Sequence, residues 1–297
     1  MTALNVDATA AENCPKDRAS EILESISSIP PLPTTAIKLS HILADPGAEI
    51  KDIAEVIQYD PTITANLLRL CNAAYFGFTE KVSSVKDAVV RLGTAKVFQL
   101  AMASSSRGLL SKNIDGYQLN EGQLWRHSVG AAVSAQKICE HFKLGFAGAA
   151  FTAALLHDMG KLLLDQYVGV EYKQLVDLSK EKSSGFNEAE AQLLGIDHAE
   201  LGARLGEAWG MPDTLIECIR FHHNPQGASS DNAAVHVVCL ADLFAMSLGF
   251  GLGADGLHYR ADAALMDRLS LNREELDRLC AKIMIEYAQV EELFASA

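Results

Sequence analysis

Proline is scarce in this chain. Eight occur in 297 residues, and four of those fall within the first 33. Period-two runs bounded by turn residues are nearly absent too, which argues against a sheet and leaves an all-α fold. No stretch of 18 or more apolar residues is free of charge, so no transmembrane helix and no membrane partner is expected. The N-terminus, MTALNVDATAAENCPKDRAS, lacks the basic start and apolar block of a secretory signal. It reads as a disordered leader over residues 1–17. Six cysteines, Cys14, Cys71, Cys139, Cys218, Cys239 and Cys280, form no C-x-x-C pair. Most sit in apolar helical surroundings, the pattern of reduced, buried thiols in a cytoplasmic protein. Basic residues are outnumbered, 25 against 38 acidic ones, and the net charge of −13 comes with no Lys/Arg block. Such a chain is poorly suited to binding nucleic acid through counterion release.

What is present is apolar and helical. Hydrophobic residues make up 49% of the chain, enough for a sizeable core in one large or two modest domains. Asp60 caps and Pro61 opens a helix whose apolar face carries Ile63, Leu67 and Leu70. Ser84 caps SVKDAVVRLG and Gly93 ends it, with Thr94 placed to cap the next helix. Asn272 caps a last long helix with Leu276, Leu279, Ile283, Tyr287 and Val290 at helical spacing. The polar segment SKNIDGYQLNEG at 111–122 is the best internal boundary. It separates a helical array over 18–110 from a core over 120–225, which a C-terminal helical segment, 226–297, completes. Trp125 and Trp209 read as core residues, and GFGLGADG reads as a flexible connector without the Gly-Lys-Ser/Thr ending of a phosphate loop.

The chemistry gathers after residue 120. His157-Asp158 ends the apolar run of FTAALLHDMGK, His127 precedes it, and His198, His222-His223 and Asp242 follow. Imidazole and carboxylate ligands carried on separate helices are what a buried divalent metal site needs. If they converge, the chain is a metalloprotein; if not, a helical binding module. Lys161 lies four residues beyond His157 and three beyond Asp158, on the same face of a helix that continues through them. His41, His141, His236 and His258 match no motif.

The stretch from SIPPLPTTAIKLSHILADP to RLGTAKVFQLAMAS resembles an HDOD domain. Its landmarks are Pro31-Leu32-Pro33, Asp60-Pro61, Asn72 before an aromatic pair, Ser83-Ser84 and Leu92-Gly93, and the likeness extends over about residues 18–225. It implies an all-helical fold related to the HD-domain metal-dependent phosphohydrolases, and a bacterial, cytoplasmic signal-transduction protein. Many family members have lost the metal ligands, whereas this chain keeps them. The order His127, His157-Asp158, His198, His222-His223, Asp242 resembles the metal pattern of the cyclic-dinucleotide phosphodiesterase branch. There a carboxylate in the place of Asp158 bridges two cations about 3.5–4 Å apart and water attacks phosphorus.

By that likeness the centre holds one or two divalent transition ions, of Fe, Mn, Zn, Ni or Co. His223 is as well suited to supporting a ligand as to being one. If the chain is an enzyme, Asp158 and Lys161 are its catalytic candidates, with Lys161 holding a phosphate oxygen or the attacking water. Two departures stand against the phosphodiesterase pattern. Gln123 occupies the place of a Glu that supports an extra metal, and HHNPQGASSDNA replaces the glycine-tyrosine-proline signature after the His pair. The expected function is therefore a regulatory module that binds a signalling protein or a nucleotide second messenger. The alternative is a metal-dependent phosphodiesterase acting on such a nucleotide.

Overall fold

A computed structural model describes residues 15–44, 50–182, 185–229, 232–251, 253 and 271–295. All regular structure among them is helical, in fourteen α-helices and four short 3-10 turns. The array comprises α2 (Thr34–Ala44), α3 (Ile50–Gln58), α4 (Pro61–Cys71), α5 (Val85–Leu92) and α6 (Thr94–Leu110). Its ends obey local chemistry. Asp60 accepts from the N–H groups of Thr62 and Ile63 at 3.0 Å, and Ser84 Oγ accepts from that of Asp87. Gly93, at φ 79°, both closes α5 and precedes α6, so Thr94 is the first helical residue and not a cap. Asn72 earns its place by pinning a loop: its amide donates to the carbonyl oxygens of Leu68 and Val82 and its oxygen accepts from Val82 N–H.

The second half is built on α7 (Gln123–Phe142), which packs against α8 (Ala147–Leu156), α13 (Ala234–Ser247) and α14 (Arg273–Ala295). Helices α8 and α13 are apolar on nearly every face, the mark of central helices. Around them lie α9 (Lys161–Lys182), α10 (Phe186–Leu194), α11 (His198–Ala208) and α12 (Asp213–Phe221), with α12 touching both α8 and α13. Asn272 and Glu275 cap α14 reciprocally, each side chain accepting from the other's N–H at 3.0 Å.

Both segments that flank the array pack on the second half of the chain. Of the leader expected over 1–17, residues 1–14 lie outside the described residues, and Pro15 already opens α1 (Pro15–Glu24). That helix packs on α10, with Arg18 paired to Glu171 of α9 at 3.0 Å, so it sits with the core and not with the array. The boundary segment 111–122 also docks: Gly116 N–H donates to Asp165 Oδ1 at 2.6 Å, and Tyr117 beside it is fully buried. Trp125 is buried and Trp209 half-buried; Cys71, Cys139, Cys218 and Cys239 are buried free thiols and Cys280 is half-buried. Cys14 and His258 lie outside the described residues, as does most of GFGLGADG beyond Gly251.

Candidate metal centre

Five elements deliver seven side chains to one place. His127 stands on α7, His157 and Asp158 between α8 and α9, and His198 at the first position of α11. His222 and His223 follow α12 directly, and Asp242 sits inside α13. In three overlapping groups the ligand atoms lie within 4.8 Å of one another: His127, His157 and Asp158; His157, His222 and Asp242; His198, His222 and His223.

The helix expected to run through His157, Asp158 and Lys161 is broken there. It stops at Leu156 and restarts at Lys161. The cause is packing: a Cβ on Gly160 would stand 2.0 Å from the carbonyl oxygen of His198, so the turn and the start of α11 are in backbone contact. The break is what makes the pair useful. Adjacent residues of a continuous helix do not face the same way, yet here His157 Nε2 lies 3.4 Å from Asp158 Oδ2.

Four of the five imidazoles, those of His127, His157, His198 and His222, are held by Nδ1. That atom faces an acceptor in every case: Phe250 O at 3.1 Å for His127, Ala154 O at 2.7 Å for His157, Ile219 O at 2.6 Å for His222, and Glu190 Oε2 at 2.7 Å for His198. A carbonyl or carboxylate oxygen cannot donate, so Nδ1 carries the proton and the Nε2 atoms are the ones presented inward. His157 and His222 are completely buried, and their Nε2 atoms, like Asp158 Oδ1, have no hydrogen-bond partner. Buried polar atoms without partners are rare and costly. Two carboxylates and an inward set of imidazole lone pairs form the donor set of a divalent transition metal. The residues present therefore fit a cation.

Carboxylate charge dominates the centre. Asp242, the one carboxylate on α13, lies 3.0 Å from His127 Nε2 and 3.4 Å from His157 Nε2. Burial opposes ionisation of Asp158, but His157 and Lys161 beside it outweigh burial and hold its carboxyl well below the usual range. Asp242 is held down likewise by His127 and His157, against burial. Burial also opposes charge on His157, yet the two aspartates push its pKa up to about 10. His222 goes the other way, down to about 3, through burial and the neighbouring His157 and His198.

Lys161 is buried, and its Nζ donates to Asp158 Oδ2 at 2.6 Å. It thus neutralises the aspartate from the side away from His198, whose Nε2 is 3.4 Å from Oδ1. His223 is half-buried, with its Nε2 2.8 Å from that of His198, a contact that requires a proton between the two nitrogens. Gln123 takes no part: its Oε1 accepts from Asn120 N–H, closing the first turn of α7.

Three contributors had no mark in the sequence pattern. Glu190 and Tyr117 support His198, with Tyr117 O–H donating to Glu190 Oε1 at 2.7 Å. Phe250 supports His127 through its carbonyl. The turn bearing it, far from a loose connector, is seated on α7: Phe250 stacks on Tyr287, and a Cβ on Gly130 would meet its ring at 2.4 Å. The glycines of this segment were the available signal, since Gly249 and Gly251 take φ of 80° and 59°.

The family model for the HDOD domain matches residues 29–225. A solved HDOD domain protein of unknown function from Geobacter sulfurreducens is similar at 26% identity and a TM-score of 0.66, covering 95% of each chain. Another structure, from Marinobacter aquaeolei VT8 and bearing a signal-transduction name, is 26% identical with a TM-score of 0.69. It covers 97% of this chain and 68% of that one. An uncharacterized protein of Treponema pallidum (strain Nichols) is 25% identical over 235 residues. That alignment takes in 76% of this chain but spans less than half, 44%, of the relative. Among the described residues no helix is long and apolar enough to cross a membrane.

Proposed function

The chain belongs to the HDOD family, and on that premise we propose that it is a signalling module organised around a working metal centre, acting by binding a partner protein or a nucleotide second messenger. The observation that carries the metal is the Nδ1 anchoring of His127, His157, His198 and His222, which leaves each Nε2 facing Asp158, and those of His127 and His157 facing Asp242 as well. His127, His157, Asp158 and Asp242 would hold one divalent ion of the Fe, Mn, Zn, Ni or Co type. His198, His222 and His223 would hold a second, with Asp158 turning Oδ2 toward His127 and His157 and Oδ1 toward His198 and His222. Such an ion supplies Lewis acidity at a neutral-pH site.

The regulatory reading is favoured by enclosure. Six of the seven side chains, His223 excepted, are buried. The segment after the His pair is folded back on α12, where Glu217 accepts from Ser229 N–H, Ser229 Oγ and Asn232 Nδ2.

A second reading, a phosphodiesterase acting on a nucleotide second messenger, has one observation in its favour: Lys161 stands against Asp158 with its ammonium already in the centre. In this reading Lys161 orients a phosphate oxygen and Asp158 holds the reacting water's proton. Elemental analysis of protein purified without chelator tests the metal; none bound after Mn or Fe reconstitution would end both readings. Turnover of cyclic dinucleotides or a chromogenic phosphodiester, lost in Asp158→Ala, would favour the enzyme. Full metal occupancy with partner or nucleotide binding and no turnover would favour the module.

A further inference from the structure

We propose that Glu190 and Tyr117 are positioning residues for His198, a buried relay that decides which ring nitrogen His198 offers to a cation. The proposal rests on the metal-centre reading above. Glu190, on α10, is completely buried. A carboxylate in such a place must be repaid by donors, and three converge on it. Its Oε2 accepts from His198 Nδ1 at 2.7 Å and from His198 backbone N–H at 2.9 Å, while its Oε1 accepts from Tyr117 O–H at 2.7 Å.

The backbone contact alone would be a structural device, since it holds the first residue of α11. The Nδ1 contact does something else. It keeps the Nδ1 proton in place, so that Nε2 is the nitrogen that offers a lone pair, and an anionic partner raises the basicity of that nitrogen. Nε2 is the atom that faces Asp158 Oδ1 and His223.

Tyr117 extends the relay to a distant segment. It stands edge-on to the His198 ring, at 6.4 Å between centroids and 88° between planes. Lys161 Nζ lies 5.6 Å from the centroid of its ring. One tyrosine therefore touches both sides of the Asp158 charge, through Glu190 and His198 on one and Lys161 on the other. Its position is set by the 115–117 turn, where a Cβ on Gly116 would lie 2.2 Å from Asp165 O, so the turn sits flush on α9. A segment that reads as an inter-domain boundary thus reaches the centre.

The test uses the full chain with 15N-labelled histidine. Long-range proton–nitrogen NMR of the metal-free protein reads the His198 tautomer, and cobalt(II) titration reads affinity and stoichiometry. Wild type should show an Nδ1-protonated His198. Glu190→Ala should lose that signature and weaken by about 10–100-fold the ion bound through His198, sparing the ion at His127, His157, Asp158 and Asp242. Glu190→Gln keeps an acceptor oxygen and should retain the tautomer and recover part of the affinity. Tyr117→Phe should fall between wild type and Glu190→Ala. If the alanine variant does not fold, Glu190→Gln and Tyr117→Phe decide alone, and wild-type cobalt affinity in both overturns the relay. An unchanged tautomer and affinity in a folded Glu190→Ala overturns it outright. Wild-type protein that binds no cobalt defeats the metal-centre reading instead, whatever the variants do.

Discussion

Histidine 157 and histidine 222 are both fully buried and less than a turn from the ends of their helices, yet their protons behave oppositely. His157 has two aspartates within 3.4 Å and is pushed up to about 10, while His222 faces other imidazoles and falls to about 3. Without a cation, then, His157 carries a proton at neutral pH, placed between the carboxylates where positive charge is wanted. A metal has to displace it. Because the metal-free value lies above neutrality, affinity should rise with pH, by about tenfold per unit for one proton released. Calorimetric titration with Mn or Zn in buffers of different ionisation heat would count that proton, and an affinity flat from pH 6 to 8 would contradict it. Asp158→Asn removes the carboxylate shared by both ligand groups and should leave metal content below about a tenth of wild type by elemental analysis, given the 10–100-fold losses seen even for supporting residues. At this scale the sequence was informative: the ligand types and their order are legible because each is a distinct chemical group. Glu190 and Tyr117 were not, because a buried carboxylate and a buried phenol look the same in sequence as surface ones.

Helices bring these residues together through a few backbone approaches and one charged clamp. Gly160 lies against the start of α11, with a Cβ there 2.0 Å from His198 O and 2.6 Å from Gly202 N. Backbone cannot yield as a side chain can, so Gly160→Ala should destabilise by about 2 kcal/mol or more and loosen metal binding together. Denaturant melts with and without metal would measure it, and a wild-type midpoint would refute the close contact. The clamp is Glu286 on α14, whose carboxylate pairs with Lys96 of α6 and, at 3.6 Å, with Lys137 of α7. Burial opposes ionisation of Glu286, but the two lysines prevail and its pKa falls below the ordinary 4.5. A lowered folded value means stability that is present above the unfolded pKa and is lost as pH falls through the folded one. Glu286→Gln should therefore cost about 1 kcal/mol at pH 7, and the gap should narrow as pH falls below the ordinary 4.5. Melts at pH 7 and pH 3.5 compare the two proteins; a gap of equal size at both would show the role is not electrostatic.

Taken whole, the molecule is an acidic helical body, of net charge −13, in which five elements meet at one charged point. An ion bound there joins α7, α11, α12, α13 and the turn after α8, none of which forms the site in an unfolded chain. Binding to the folded state alone stabilises by about 2.7 kcal/mol at a hundredfold excess over Kd. For a chain of this size that corresponds to a Tm rise of roughly 4 °C. Calorimetric scans before and after chelation should show the shift and its reversal, and the shift should vanish in Asp158→Asn.

Sequence alone determined the helical class, the caps at Asp60, Ser84 and Asn272, and the seven ligand candidates, because periodicity, capping and donor chemistry are local. Only the tertiary structure decided that His157 and Asp158 sit in a break and not along a helix. It alone turned Gln123 away, seated α1 on α10, and brought Tyr117, Glu190 and Phe250 up behind the histidines. Those outcomes depend on which backbones touch and where a buried charge finds its donors, and both are set between residues far apart in the chain.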